Sequence, residues 1–209
     1  RWLSEKMNKP NIVPRTNAEL GIDRRAYTNN DINKAQELDS AKLELLPKRY
    51  QLCIELQREF GLRREESLKF QPDYADKGDH IVLKDSWCKG GREREIPILT
   101  GDQIALLDRC IEFAGGGSMI AEEKTYYQEM KAFEKACERA KIKNVHGFRH
   151  AYAQERYLDL TGWKCPKNGG LTSKELTEEQ KQQDHSARMQ ISIELGHNRE
   201  EITTRYLGR

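Results

Sequence analysis

The chain contains 209 residues with a formal net charge of +2; 36% of its residues are hydrophobic and 33% are charged. This length is enough for one well-buried domain and part of a second. No apolar run approaches the roughly 18 residues needed to cross a bilayer. The five cysteines are scattered without a CxxC pair, which argues against a disulfide framework or a zinc site and favours reduced thiols in the cytoplasm. The small net charge does not by itself indicate a nucleic-acid partner.

The first third of the chain has mostly helical periodicity. Two prolines and little periodicity in residues 10–28 indicate a linker. Asn30 and Asp31 are typical helix N-caps, and Gly61 is a typical helix stop. The predicted helices cover residues 1–13, 32–45, 47–60 and 64–70.

The pattern changes in the middle of the chain, where residues 80–83 and 95–98 are predicted to be two strands joined by a turn at residues 89–91. Pro97 places the second strand at an edge. The polar residues 163–184 are predicted to be a surface insertion. Further helices are predicted over residues 100–114, 122–140, 148–160, 186–195 and 199–206. The fold class expected from this order is mainly α with a small antiparallel β-sheet (α+β).

Four short stretches combine residues that could act together on a phosphate. Each taken alone has an ordinary structural interpretation, such as a solvated arginine, a lysine in a glycine-rich turn or a packed tyrosine. The four are Gly61-Leu62-Arg63-Arg64-Glu65-Glu66, Lys89 followed by Gly-Gly-Arg-Glu-Arg-Glu-Ile-Pro, His146-Gly147-Phe148-Arg149, and Leu195-Gly196-His197 with Tyr206 nine residues later.

In this order the set resembles the active site of tyrosine recombinases, the family of phage-type integrases, and looks most like the integrases of prophages and integrative elements. The resemblance covers roughly residues 29–209, which it identifies as a catalytic domain with the tyrosine recombinase fold. Since the sequence begins with Arg1 rather than Met, residues 1–28 are expected to be the end of an N-terminal DNA-binding domain and its linker.

The resemblance implies that Tyr206 attacks a DNA phosphodiester and forms a 3′-phosphotyrosyl intermediate. Arginines suit the anionic transition state because a guanidinium stays charged and offers a planar fork of donors, so Arg63 and Arg149 are expected to clamp the phosphate. A phenol is a poor nucleophile at neutral pH, and His146 is the candidate base. Lys89 is the candidate general acid for the departing 5′-oxygen. The remaining expected contact to the phosphate, or support for it, is His197.

This chemistry needs neither a cofactor nor a metal, and no metal-ligand spacing is evident in the sequence. Arg63 is preferred over the adjacent Arg64 because the family register places the catalytic arginine directly after Gly-Leu. Glu66 is expected to orient Arg63 or to cap its helix. Lys84, Arg92 and Arg94 are rivals of Lys89 on the hairpin. The residues expected to contact the DNA backbone are Arg92, Arg94, Lys141, Lys143 and Arg156.

The partner implied by the resemblance is double-stranded DNA, with a tetramer on synapsed sites, a mostly monomeric isolated chain and no membrane association. A cytoplasmic, bacterial or phage-encoded mobile genetic element is the expected setting. Two alternatives stay open at this point. One is DNA relaxation of the type IB topoisomerase kind, and the other is an inactive DNA-binding accessory domain, which the presence of Tyr206 disfavours.

Overall fold

The structure is a computed structural model that describes residues 2–9, 16, 18–23 and 32–209. Most of the predicted linker, the Asn30–Asp31 cap and the predicted domain boundary after residue 28 lie outside the described residues. The helices are α1 (Trp2–Lys6), α2 (Ser40–Glu44), α3 (Lys48–Glu59), α4 (Arg64–Lys69), α5 (Pro72–Ala75), α6 (Gly101–Ala114), α7 (Tyr126–Arg139), α8 (His146–Thr161), α9 (Glu178–Glu194) and α10 (Thr204–Leu207), and the strands are β1 (His80–Leu83) and β2 (Arg94–Pro97). The expected class, mainly α with a small antiparallel sheet, is confirmed.

Helix α3 lies at the centre of the domain, because the consecutive residues Leu52, Cys53 and Ile54 are all fully buried although they point in different directions around the helix. It packs against α4, α6 and α8, and α8 in turn packs against α9 and α10. This arrangement brings the end of α3, the start of α8 and the end of α9 together.

The sheet contains two antiparallel strands, β1 and β2, in which Ile81 pairs with Ile96 and Leu83 with Arg94. Ile81 and Ile96 are fully buried, while β2 also contacts α9. The connection between the strands is longer than the predicted turn, since it includes a 3-10 turn at Asp85–Trp87. The sheet therefore holds the loop that carries Lys89 beside α9.

The predicted helix over residues 32–45 is wrong in its first half. Residues 32–39 form no helix or strand, and helix α2 begins only at Ser40, where the Asp39 side chain caps it. Their conformation is stabilised by contacts to α8, since the Gln36 backbone N–H donates to the Gly147 carbonyl oxygen at 3.2 Å. We refer to residues 32–39 as the strap.

The predicted surface insertion over residues 163–184 includes the start of a helix. Thr177 and Gln180 form a capping box that begins α9, so residues 178–184 form the first two turns of that helix. Cys165 and Leu176 are buried. Most of the segment is exposed, and these buried side chains anchor it to the domain.

Candidate active site

The Gly61-Leu62-Arg63 stretch turns the chain between α3 and α4. Gly61 has φ of +60°, and a Cβ atom there would lie 2.5 Å from the ring of Tyr152, so both conformation and space favour glycine. Leu62 is fully buried, which fixes the turn. Arg63 follows as the N-cap residue of α4, and its backbone amide donates to the Glu66 carboxylate at 2.6 Å.

Glu66 is a fully buried carboxylate surrounded by arginines. It accepts hydrogen bonds from Arg63 at 2.7 Å and from two nitrogens of Arg94 at 2.9 and 2.6 Å, and Arg149 lies 3.9 Å away. Burial by itself would raise the pKa of this carboxyl, but the hydrogen bonds and charge of Arg94, with the charges of Arg149 and Arg63, lower the pKa to about 2. Glu66 is thus an anion that both caps α4 and orients the guanidinium of Arg63.

Arg149 lies beneath the site with its side chain fully buried. Its terminal nitrogens donate to the carbonyl oxygens of Gly61 and Leu195, and its Nε donates to the hydroxyl oxygen of Tyr206 at 3.3 Å. Burial, followed by the neighbouring charges of Arg63 and Arg94, lowers the pKa of Arg149 from its ordinary value. The cation is consequently held by backbone groups of two different motifs and directed at the phenol.

The Leu195-Gly196-His197 stretch follows the last turn of α9. The carbonyl oxygen of Leu195 also accepts from Arg63 at 3.1 Å. Gly196 has φ of +69°, and a Cβ atom there would lie 3.1 Å from the Arg94 guanidinium, so glycine allows the backbone to approach the arginines closely. His197 is placed with its Nε2 atom 3.4 Å from Arg63.

Tyr206 lies on α10, where 94% of its surface is buried against α8. Its ring is 6.1 Å from the ring of His146 and 4.7 Å from the ring of His150, measured between centroids. The structure therefore brings Tyr206, Arg63, His146, Arg149 and His197 into one cluster.

The histidines of the cluster are neutral at neutral pH. Partial burial and then the charges of Arg149 and Arg63 lower the pKa of His146 to about 4. The same causes, with Arg94 added, lower the pKa of His197 to about 4. Burial and the neighbouring His146 lower the pKa of His150 to about 3. A neutral imidazole can accept a proton, which is what a general base needs.

His150 is a contact of Tyr206 that the sequence interpretation missed. Its ring is buried, and its Nδ1 atom has no hydrogen-bond partner within the described part of the chain. The helical spacing contains the signal, because residues four apart share one face of a helix and His150 follows His146 by four positions.

Lys89 and Arg92 lie at the edge of the cluster. Both are exposed on the loop between β1 and β2. This loop is anchored beside the arginines through Cys88, whose sulfur accepts from Arg94 at 3.2 Å. Among the described residues the Lys89 ammonium has neither a hydrogen bond nor an ion pair. Lys89 directly follows Cys88 in the chain, but no contact of these kinds joins its side chain to the other site residues.

Two of the five residues expected to contact DNA are placed elsewhere. Arg94 is buried between Glu66 and the carbonyl oxygen of Glu194. Arg156 is buried in an ion pair with Glu194 at 3.2 Å. Neither guanidinium can reach a DNA backbone without breaking a buried ion pair, which is costly, and their assignment as DNA contacts is therefore wrong.

The other expected contacts, Lys141 and Lys143, are exposed on the loop before α8. Within the described residues there is no group of three or more His, Cys, Asp or Glu that could hold a metal ion. The described helices also include none that is both long and apolar enough to span a bilayer.

Comparisons with known proteins agree with this fold. The catalytic domain of the bacteriophage HP1 integrase is similar in structure, with a TM-score of 0.50 and 18% identity over 82% of this chain and 86% of that chain. The XerH site-specific recombinase, in a post-cleavage complex with its palindromic difH substrate, has a TM-score of 0.52 and 16% identity over 88% of this chain. The Tn1549 transposon integrase, in complex with circular intermediate DNA, has a TM-score of 0.51 and 13% identity over 91% of this chain.

The match spans only 52% of the XerH chain and 64% of the Tn1549 integrase chain. A comparison with curated protein sequences found no relative. The profile of the Integrase family matches residues 25–155, which include Arg63, Lys89, His146 and Arg149 but end before His197 and Tyr206. This match covers more than half of the chain, and it agrees with the structural likeness to tyrosine recombinases. The chain belongs to the Integrase family, as the resemblance of its motifs predicted.

Proposed function

We propose that this chain cleaves and rejoins DNA at specific sites through a covalent bond between the Tyr206 oxygen and a 3′-phosphate. The observation that carries the proposal is the position of the Tyr206 hydroxyl, 3.3 Å from the Nε atom of the fully buried Arg149. Few structural roles require a buried cation directed at a tyrosine oxygen, whereas a phenol that becomes a nucleophile benefits from adjacent positive charge.

In the cleavage step the phenolic oxygen forms a bond to phosphorus while the bond from phosphorus to the 5′-oxygen breaks. The phenolic proton passes to the neutral imidazole of His146, the candidate base that the family resemblance implies, whose ring centroid is 6.1 Å from that of Tyr206. A proton must reach the departing 5′-oxygen, and Lys89 is positioned on a loop that a bound duplex could draw inward. Rejoining reverses the step with a second 5′-hydroxyl, so the ester energy is kept.

Arg63 and His197 would stabilise the negative charge of the transition state. The side chain of Arg63 is 19% exposed, so it is accessible from the solvent, from which DNA would arrive. His197 lies beside it. A phosphate anion bound beside Arg63 would raise the pKa of both His146 and His197, since an adjacent negative charge favours the protonated imidazole. Binding of the substrate would thereby make each histidine a stronger proton acceptor.

We also propose the partners that this chemistry requires. Strand exchange needs two duplexes and two cleaving subunits on each, which is the reason for a tetramer on synapsed DNA with a monomeric free chain. Lys89, Arg92, Lys141 and Lys143 are exposed cations near the site and are suited to backbone phosphates. A cytoplasmic role in the integration of a mobile element is consistent with the family.

The test uses a duplex that carries a nick close to the scissile phosphate. Cleavage then releases a short fragment that bears the 5′-hydroxyl, and once this fragment diffuses away the covalent adduct cannot be rejoined and accumulates. We expect an adduct with the native chain and none with Tyr206→Phe. Tyr127→Phe is the matched control, because Tyr127 is 63% exposed and far from the cluster in sequence. An adduct formed by the Tyr206→Phe chain would refute the assignment. A two-site recombination assay run beside a supercoil-relaxation assay separates strand exchange from topoisomerase activity.

A further inference from the structure

The candidate nucleophile, Tyr206, lies on a helix that depends on tertiary contacts for its stability. Helix α10 has only four residues, Thr204–Leu207, and a helix this short is unstable without tertiary contacts. Carbonyl groups at the end of a helix lack partners within the helix. Side chains from elsewhere in the domain bind the carbonyls of Arg205, Tyr206 and the C-cap residue Gly208. Lys167 donates to the Arg205 carbonyl at 2.8 Å, Gln154 to the Tyr206 carbonyl at 3.0 Å, and Arg188 to the Gly208 carbonyl at 3.0 Å.

Gln154 is the contact made to the nucleophilic residue itself. It lies on α8 with 5% of its surface exposed. Its amide forms a reciprocal pair with Asn33, in which Gln154 Nε2 donates to Asn33 Oδ1 at 2.8 Å and Asn33 Nδ2 donates to Gln154 Oε1 at 3.3 Å. The two donors of the Gln154 nitrogen are therefore shared between Asn33 and the Tyr206 carbonyl.

This pairing selects one orientation of the Gln154 amide. If the amide rotated by half a turn, its oxygen would face both the Asn33 oxygen and the Tyr206 carbonyl, and all three hydrogen bonds would be lost. Gln154 is buried, so leaving its amide without partners is costly. Asn33 thus determines whether Gln154 presents a donor to the Tyr206 backbone.

Asn33 belongs to the strap, which is docked separately onto the start of α8. A Cβ atom on Gly147 would lie 2.6 Å from the Lys34 carbonyl oxygen, so the strap lies directly against this glycine. The Gln36 side chain donates to the Asn144 carbonyl at 3.1 Å. The position of Asn33 is therefore set by the residues around His146 and Arg149, on the same helix end that carries the candidate catalytic groups.

We propose that Asn33 and Gln154 are positioning residues for Tyr206, and that docking of the strap is a condition for seating the nucleophile. The proposal rests on the proposed function, because it concerns the reactivity of the Tyr206 oxygen. Within the described residues, no hydrogen bond or ion pair joins the strap to the Tyr206 hydroxyl, Arg63 or Arg149. The contact from the strap to the Tyr206 backbone runs from Asn33 to Gln154 to the Tyr206 carbonyl, and this relay connects the first described segment of the domain to its last helix.

The test is a double-mutant cycle on the rate of adduct formation, measured with the nicked duplex at saturating DNA. We expect Asn33→Ala to slow adduct formation about tenfold and Gln154→Ala to slow it at least as much, since misplacement of a reacting group by about 1 Å can cost up to a hundredfold. The duplex affinity should change less than twofold for both variants. In the Gln154→Ala background, Asn33→Ala should have less than a twofold further effect, because the relay is already broken.

Asn33 is an exposed residue of the strap, so we expect Asn33→Ala to keep the urea unfolding midpoint of the native chain. If it does not, Asn33→Asp provides the second test. Its carboxylate cannot donate to Gln154 Oε1 but still accepts from Gln154 Nε2, so it keeps the relay and should form the adduct faster than Asn33→Ala. Glu37→Ala is the matched control on the strap, since the Glu37 carboxylate contacts Arg58 rather than Gln154. It should leave the rate unchanged.

Two results would overturn the proposal. One is an Asn33→Ala chain that forms the adduct at the native rate, and the other is a double variant in which the two effects multiply. Both results presuppose an adduct that depends on Tyr206. If the native chain and the Tyr206→Phe chain gave the same result, the proposed function would fail instead, and the two failures are therefore distinguishable.

Discussion

Replacement of Glu66 by glutamine removes the anion that the arginine cluster surrounds. The carboxylate is fully buried and contacts Arg63, Arg94 and Arg149. Its pKa falls from the ordinary 4.5 to about 2, and at about 1.4 kcal/mol for each tenfold change in ionisation this corresponds to roughly 3 kcal/mol. Breaking a buried ion pair by removing one partner costs about 3–5 kcal/mol. Both routes predict that Glu66→Gln lowers the free energy of unfolding by about 3–5 kcal/mol at pH 7.

Urea unfolding of both chains measures this loss, and its pH dependence provides a second check. A carboxyl whose pKa is lower in the folded than in the unfolded chain stabilises the fold above pH 4.5 and loses that contribution as the pH falls towards 2. The difference between the native and Glu66→Gln chains should therefore be constant from pH 5 to 8 and shrink below about pH 4.5. The matched control is Glu134→Gln, whose ion pair with Arg64 is 37% exposed on both sides and should contribute less than about 1 kcal/mol. Equal losses in the two variants would refute the central role of Glu66.

Other predictions concern burial, backbone conformation and protonation. Arg94→Ala should destabilise the chain by about 3–5 kcal/mol because it leaves Glu66 without its closest partner, whereas Arg92→Ala should weaken DNA binding and leave the urea midpoint unchanged. Gly61→Ala should cost about 2 kcal/mol or more in urea unfolding, since φ of +60° is unfavourable for alanine and its Cβ atom would meet Tyr152. His150 has a pKa of about 3 in the folded chain, below the unfolded value of 6.5, so the fold loses stability as the pH falls from 6.5 towards 3. His150→Phe should remove that loss and gain about 2 kcal/mol on the native chain between pH 7 and 5; parallel pH profiles would contradict this.

The sequence predicted the elements whose signals are local. The helix predicted over residues 100–114 is found at Gly101–Ala114, because the capping Thr100 and the left-handed Gly115 that bound α6 act within one turn. The strap was mispredicted as a helix because its conformation depends on hydrogen bonds to α8, more than a hundred residues away in sequence. Composition also made residues 163–184 resemble a surface insertion, although buried Cys165 and Leu176 fix part of this segment in the domain.

The residues of the candidate site also divide into those that the sequence identified and those whose position depends on a distant partner. The family resemblance of the motifs was sufficient to nominate Arg63, His146, Arg149 and His197, and the structure brings these together with Tyr206. It was insufficient for Arg94, because a strand residue in a basic stretch gives no sign that it faces inward to a carboxylate 28 residues earlier. Burial of an arginine is decided by its partner, and the partner lies on another element.

The two candidate catalytic arginines, which the sequence analysis expected to clamp the phosphate together, are not equivalent. The guanidinium of Arg149 is fully buried and donates to the carbonyls of Gly61 and Leu195, so the glycine-containing motifs act first as its support. The Arg63 side chain is 19% exposed. We therefore expect Arg63 to bind the phosphate that arrives with DNA, while Arg149 acts on the phenolic oxygen from the buried side. Such a division gives a reason for a carboxylate among these cations: Glu66 compensates the charge of the buried arginines, while Arg63 remains partly accessible to the substrate.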